Sequence, residues 1–336
     1  MQHADFTSVF PENEDRIMPH TPNTPQTTEQ FDVVIVGGGA AGLSAALILG
    51  RSRRSVLVID AGEPRNAPAA HMQGVLSRDG MPPSEYLALG REEIRTYGAQ
   101  LLNDTVTTIT PTHDGEFTLR LANNTDVHAR RIIIATGLVD ELPDIPGLRE
   151  RWGRDVLHCP YCHGWEVRDQ NFGVLAHPTL GAHQALLLTQ WSNNITLFLH
   201  NITELPDGQQ EQLHTAGIPV ITTPIAQTLT TNDHLTGVRL QDGTTIPLDI
   251  LFAAGTPVPR DTLLRDLGAR TTPTPVGPYT ETDPTGRTSI PGIWAVGNAA
   301  GPTEQVVNAV SAGYRAGQTI NAELTFHDLT HKTKNA

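Results

Sequence analysis

One run of residues, opening at Phe31, constrains the fold of this chain more than any other. "FDVVIVGGGAAGLSAALILGRSRRSVLVIDAG" holds an apolar strand pattern from Asp32 to Val36, a glycine cluster, an Ala/Leu-rich helical stretch, and a second apolar strand from Ser55 to Ile59 ending on Asp60. A glycine-rich turn alone is common. Strand, Gly37-x-Gly39-x-x-Gly42, helix, strand and acid in that order make a dinucleotide-binding βαβ unit. Gly37 makes the tight turn, Gly39 lets the backbone approach a pyrophosphate, and Gly42 lets the helix pack closely on the sheet. The helix N-terminus offers unpaired N–H groups and a positive dipole end to phosphates. Asp60 is placed to accept hydrogen bonds from ribose hydroxyls.

Two later segments extend this unit. "RIIIATG", Arg131 to Gly137, is an apolar strand ending in a small-residue turn. "GIWAVGNAAGPTEQVVNAVSAGYRAGQTI", Gly292 to Ile320, is another strand, then Gly297-Asn298, then a long Ala/Gly-rich helix. A Rossmann domain completed by so late a strand has had another domain inserted into it. The 336 residues agree with about two domains of roughly 100–200 residues each. The expected fold class is therefore α/β, with two Rossmann-like folds, the second inserted into the first. This split layout is that of FAD-dependent reductases with two dinucleotide folds.

Composition narrows the partners. Acidic residues outnumber basic ones 36 to 23, a net charge of −13, which argues against nucleic acid or an anionic membrane as partner. Residues 1–30 are rich in Pro, Thr and Gln and read as a disordered tail. They contain no hydrophobic core of a secretory signal, and no stretch reaches the ~20 apolar residues of a membrane span. The expected location is the cytoplasm, where structural disulfides are rare.

With these motifs in place the chain resembles the low-molecular-weight thioredoxin reductases, a branch of the FAD-dependent pyridine nucleotide-disulfide oxidoreductases. The likeness runs from about Phe31 to Glu323 and rests on the GxGxxG, "ATG", a C-x-x-C in the second domain and "GIWAVGN". It implies FAD as cofactor and a homodimer. The ADP half would lie on Gly37, Gly39, Ala40, Ala41, Gly42, Asp60 and Ala61. Val106, Ala135, Thr136 and Gly137 would also contact FAD, and Gly297, Asn298, Gln305 and Val306 would sit near the ribityl chain and ring. Arg65, Asn66 and His71, from the Glu63–Pro83 stretch, are further candidates for FAD or substrate contact. The family usually has Asp at position 298; either side chain can accept a hydrogen bond from a flavin hydroxyl. The implied boundaries are 31–150 and 257–325 for the FAD domain, 151–256 for the insertion, and 326–336 for a C-terminal tail.

The inserted domain keeps a nucleotide scaffold without its nucleotide residues. A strand (Phe172 to Leu175), a helix (Ala182 to Trp191) and a strand (Ile195 to Leu199) follow the C-x-x-C. Ala176, Pro178 and Gly181 stand where the family has Gly, Gly and Ala. Proline has no N–H to give a phosphate and fixes its own φ, and the His177 and Thr179 side chains crowd the turn. His200-Asn201 replaces the two arginines that hold the 2′-phosphate of NADP. NADPH binding is therefore expected to be lost.

The only two cysteines lie in "HCPYCH", His158 to His163. Read locally, the string fits c-type haem attachment, a glutaredoxin centre, a zinc site or a redox disulfide. Haem attachment needs export, a closed tetrahedral zinc site is too cramped within six residues, and a glutaredoxin centre would not lie mid-chain. A flavin-coupled redox disulfide remains, and no metal is expected. By resemblance, Cys162 faces the flavin and Cys159 exchanges with substrate. His158 and His163 could lower the thiol pKa values or accept substrate protons, since imidazole titrates near neutrality. Trp165 reads either as pocket lining or as core.

"CPYCHGWE" beside a weakened NADPH site is similar to the dithiol oxidases of disulfide natural products such as gliotoxin and holomycin. The resemblance implies oxidation of a small dithiol through Cys159/Cys162 and FAD, with O₂ as acceptor. Two alternatives stand beside it: a reductase of thioredoxin or a thioredoxin-like protein drawing on NADPH or another donor, and a flavin-bound redox sensor.

Overall fold

Two sheets, one mixed and one all parallel, organise the chain; the computed structural model describes residues 30–334. The 1–30 segment lies outside the described residues except for Gln30, which opens the first strand. Gln30–Val36 is the centre of the first sheet. Val33, Val34 and Ile35 are fully buried, as suits a parallel strand covered on both faces. It pairs in parallel with Val56–Asp60 on one side and Asp126–Ile134 on the other. Gln100–Asn103 adds an outer strand beyond Val56–Asp60, and Phe117–Leu121 and Val106–Pro111 extend the other side as an antiparallel meander.

The late strand returns as expected. Ile293–Ala295 pairs in parallel with Asp126–Ile134, Trp294 opposite Ile133, and Trp294 has no exposed surface. The helices Ala40–Arg51 and Val306–Lys334 then pack on the sheet through small residues. A Cβ on Gly313 would sit 2.0 Å from the Ala41 carbonyl oxygen, and one on Gly317 2.4 Å from the Ile48 side chain. Any larger residue there would push the two backbones apart.

The segment from 326, expected as a tail, is instead helical through Lys334. Ion pairs hold it: Asp328 takes Arg54 at 3.0 Å and also Arg130, and both arginines share Asp32 of the first strand.

The second sheet is formed wholly within the insertion. Its order is Val220–Ile221, Ile195–Phe198, Phe172–Leu175, Ile250–Ala253 and Val156–Leu157, all parallel. His183–Leu188 and Gln209–Thr215 bury Ala185, Leu188 and Leu213 on one face. A three-stranded antiparallel sheet, Ile225–Thr231, His234–Leu240 and Thr245–Pro247, buries Ile225, Leu235 and Val238 on the other. The first helix is shorter than its sequence pattern because Thr189, Gln190 and Trp191 donate three residues back, in tighter turns. The chain passes between the two folds along Leu138–Glu141 and Thr256–Pro259, which pair antiparallel. This is the α/β arrangement of one Rossmann-like fold set into another.

Candidate active site

A cavity of about 730 Å³ lies where the first βαβ turn, the crossing strands and the cysteine loop converge. Its floor follows from the three glycines. Gly37 has φ +109, and a Cβ there would lie 2.3 Å from the Ala135 carbonyl oxygen, so only glycine fits the turn. A Cβ on Gly42 would lie 1.9 Å from the Gly37 carbonyl oxygen. A Cβ on Gly39 would meet nothing within 4 Å: this backbone faces open space. Gly39 is also the N-cap of Ala40–Arg51 and has no capping side chain, so the first-turn N–H groups have no side-chain partner at the cap. Asp60 accepts from Gly62 N–H at 3.3 Å and pairs with Arg91 at 3.2 Å.

Most of the residues expected from sequence line this cavity. They are Gly37, Gly39, Ala40, Ala41, Asp60, Arg65, Asn66, Val106, Ala135, Thr136, Gly137, Gly297, Asn298, Gln305 and Val306, with His158, Cys159, Cys162 and His163 at the far end. Three of the expected contacts do not. Gly42 is buried beneath the turn, Ala61 is exposed beside it, and His71 is exposed on the outside. His71 turns away because the loop folds on itself: Met72 N–H donates to Met81, Gly80 N–H donates to Met72, both at 2.9 Å, and the Met72 side chain is buried. Trp165 is neither core nor lining. It is 66% exposed and lies under the Arg168 guanidinium, 4.1 Å from the ring centroid.

An ion pair that the sequence does not announce crosses the cavity wall. Arg65 donates from Nε and Nη2 to both oxygens of Asp140, each at 2.7 Å, and from Nη1 to Asn298 Oδ1 at 3.3 Å. Asp140 belongs to the crossing strand Leu138–Glu141. Asn298 also donates from Nδ2 to the Gly301 carbonyl at 3.0 Å. A carboxylate could accept from Arg65 but could not make that second bond, which gives the amide at this position a physical reason.

The two cysteines are thiols at the edge of the cavity. Pro160–His163 forms one helical turn after the strand Val156–Leu157, with proline at the first helical position where no N–H is needed. Cys162 N–H donates to the Cys159 carbonyl at 3.2 Å. Cys162 Sγ donates to Gln305 Oε1 at 3.3 Å, and Gln305 Nε2 donates to Cys159 Sγ at 3.7 Å. The Cys162 S–H, the N–H groups of Cys162 and Tyr161, and the Arg65 charge lower the Cys159 thiol to about 7 against the burial that opposes them. Cys162 is pushed up because its S–H hydrogen-bonds to the Cys159 sulfur, with burial and the Cys159 charge adding to the effect. One thiol of the pair is thus partly ionised at neutral pH, where a thiolate is the reactive species.

Both flanking histidines are held neutral. Burial lowers the pKa of His158, with the Arg65 charge adding to it, and burial lowers that of His163. Each has a buried Nδ1 without a hydrogen-bond partner in the protein, and both line the cavity. Unprotonated, orphaned ring nitrogens beside two thiols can take up protons. Among the described residues no group of three or more His, Cys, Asp or Glu side chains converges as metal ligands would. No helix among them is long and apolar enough to cross a membrane.

In the inserted fold the residues 176–181 close on themselves. His177 and Gly181 exchange backbone hydrogen bonds at 3.0 and 2.8 Å. His177 Nδ1 accepts from the N–H groups of Thr179 and Leu180 at 3.1 and 3.2 Å. Gln209 Oε1 accepts from Ala182 N–H at 2.6 Å, and Gln209 Nε2 donates to the Leu180 carbonyl at 3.0 Å. The N–H groups that a Rossmann loop gives to a pyrophosphate are satisfied here by the chain's own side chains. The His177 and Pro178 part of this was readable in the sequence; Gln209, from the next helix, was not.

The profile of the pyridine nucleotide-disulphide oxidoreductase family matches residues 31–313. Thioredoxin reductase sirT of Leptosphaeria maculans is 32% identical over 320 residues, spanning 90% of this chain and 97% of its own length. Among solved structures, HlmI superposes with a TM-score of 0.88 at 44% identity, covering 91% of this chain and 96% of its own. An oxidoreductase from Agrobacterium tumefaciens superposes with a TM-score of 0.82 at 38% identity, covering 89% and 99%.

Proposed function

We propose that this chain, which belongs to the pyridine nucleotide-disulphide oxidoreductase family, is an FAD-dependent oxidase that turns a small dithiol into a disulfide with O₂ as final acceptor. Membership makes it a flavin-dependent oxidoreductase acting on sulfur groups. FAD as the form of the flavin is supported by the glycine floor, the open space at Gly39 and Asp60 at the end of the second strand. FAD, when bound, accepts the two electrons released as two thiols become a disulfide. Gly37, Gly39, Ala40 and Asp60 would hold its nucleotide half, and Ala135, Thr136, Gly297 and Asn298 its ring end.

The chain's own residues account for the sulfur chemistry. In the oxidised pair, one substrate thiolate attacks a sulfur of the Cys159–Cys162 disulfide and forms a mixed disulfide while the other cysteine leaves as thiolate. The second substrate thiolate then displaces the enzyme sulfur. The product is a substrate disulfide and two enzyme thiolates, so two electrons have moved to the protein. The protons of the substrate thiols go to acceptors beside the pair, for which the neutral imidazoles of His158 and His163 are positioned. The likeness to thioredoxin reductases supports Cys159 as the exchanging sulfur and Cys162 as the one nearer the flavin.

Electron flow from dithiol to flavin, rather than from NADPH, rests on one observation: His177 and Gln209 already occupy the N–H groups of the second nucleotide loop. Anaerobic titration of the purified yellow protein tests it. Dithiothreitol should bleach the 450 nm flavin band and air should restore it with oxygen uptake. Rapid bleaching by excess NADPH would overturn the proposal and favour the second reading, a thioredoxin-disulfide reductase. That reading is supported by the names of relatives such as sirT and by the intact second sheet.

A further inference from the structure

We propose that Gln305 is a positioning residue that distinguishes the two sulfurs of the reduced cysteine pair, its amide oxygen holding a proton on Cys162 and its amide N–H favouring the thiolate at Cys159. The inference deepens the dithiol reading above and rests on it for its catalytic meaning, though not for its test.

Gln305 comes from far along the chain, in the turn just before the helix Val306–Lys334, and its amide spans both sulfurs. A carboxamide is polar end to end: its oxygen only accepts and its nitrogen only donates. Here the oxygen faces Cys162 Sγ at 3.3 Å and the nitrogen faces Cys159 Sγ at 3.7 Å. A protonated sulfur is matched at the first position and an anionic sulfur at the second. Reversing the charge would set a thiolate against the amide oxygen and a thiol against the N–H, losing both bonds. The polarity runs the same way in the backbone, where the N–H groups of Cys162 and Tyr161 also favour charge on Cys159. Two elements remote in sequence therefore agree on where the proton sits.

The other ionisable groups around the pair do not discriminate between the sulfurs in this way. Arg65 favours ionisation of both cysteines, and its charge is shared with Asp140. His158 and His163 are held neutral by burial. Glu304, next to Gln305 on the cavity wall, is raised by burial. Among these side chains, Gln305 presents a different atom to each sulfur. In thiol–disulfide exchange the thiolate is the attacking species and the thiol is inert. In the reduced pair a fixed proton therefore leaves Cys159 as the sulfur free to exchange.

The experiment reads protonation directly. Holoenzyme fully reduced under argon is pulsed with iodoacetamide across pH 5–9.5, and alkylation at each cysteine is quantified by peptide mass spectrometry. In the wild type Cys159 should react first, with a midpoint near the lowered value of about 7. Gln305→Leu should raise that midpoint by about one pH unit, since a bond to the charged form is lost, and bring Cys162 labelling closer to that of Cys159. Gln305→Glu is the near-isosteric control: it keeps the acceptor for Cys162 but replaces the donor with a charge, and should raise the Cys159 midpoint further still. Retained flavin absorbance and circular dichroism check that each variant is folded. Preferential labelling of Cys162 in the wild type would overturn the assignment. A Cys159 profile unchanged in both variants would do the same. Neither readout involves O₂ or substrate, so Gln305 could fail this test while dithiol-driven oxygen uptake persisted, and the reverse.

Discussion

The Arg65–Asp140 pair permits a worked prediction. Asp140 keeps 7% of its side-chain surface and Arg65 24%, and the two form a two-pronged bond at 2.7 Å on both arms. Removing one partner of a buried pair costs about 3–5 kcal/mol, because the other charge stays buried without compensation. Arg65 retains some solvent, so Arg65→Met should fall toward the lower end, about 2–4 kcal/mol. A domain of this size shifts its Tm by roughly 2–4 °C per kcal/mol, which gives a drop of about 4–16 °C. Asp140→Asn should cost less, since it leaves a partly hydrated guanidinium rather than a buried carboxylate. Paired in one chain, the two substitutions should cost clearly less than their sum. Differential scanning calorimetry on the flavin-loaded protein measures all three. A drop under 2 °C for Arg65→Met, or strict additivity in the double variant, would refute the reasoning. Arg65→Met should also slow alkylation of Cys159 near pH 7, because the same charge favours its thiolate.

Other outcomes follow from single residues. Gly39→Val should give a colourless protein with apo-state stability within about 0.5 kcal/mol of wild type, since the added side chain meets only open space; a yellow preparation would contradict the placement of the cofactor. The reduced enzyme should gain stability relative to the oxidised one as pH rises from 7 toward 9. Cys159 ionises at about 7 when folded against 9.0 for an unperturbed thiol, so its contribution is present above the unfolded value and lost as pH falls through 7. Urea melts of the two redox forms at pH 6, 7.5 and 9 check the trend, and the raised Cys162 reverses it at still higher pH. His163→Ala should slow dithiol-driven oxygen uptake by about tenfold or more, most strongly below neutral pH, because burial keeps this imidazole neutral there; an unchanged pH profile would make it structural.

The first βαβ unit was readable because its determinants are local. Gly37, Gly39 and Gly42 lie within six residues, and each is required by a clash or an opening that the turn itself creates. The late strand at Ile293 was legible from its apolar run and the Gly297-Asn298 turn. The Arg65–Asp140 pair was not, since its members are 75 residues apart and neither position has a local pattern. Gln305 was expected beside the cofactor, yet its grip on both sulfurs, more than 140 positions away, has no local pattern to announce it. His71 was misplaced for a reason of the same kind: the backbone bonds of Met72 with Gly80 and Met81 decide which way the loop faces. The helical course of residues 326–334 depended on Asp32, Arg54 and Arg130, three charges that look like ordinary surface when read in order.

The way Ile293–Ala295 completes the first sheet has a consequence for biosynthesis. Ile132, Ile133 and Ile134 are fully buried in the finished protein, but they leave the ribosome about 160 residues ahead of the strand that covers their edge, roughly 10–30 s at ordinary elongation rates. For that interval the nascent chain carries an open apolar strand edge, the kind of surface on which chains stick to one another. The insertion, whose strands all lie between Val156 and Ala253, can fold as a unit while the outer domain waits. Truncations that stop short of Ala295 should therefore leave a folded inner domain attached to an aggregation-prone outer one, and yield on expression should depend on chaperone supply more than the stability of the finished enzyme would suggest.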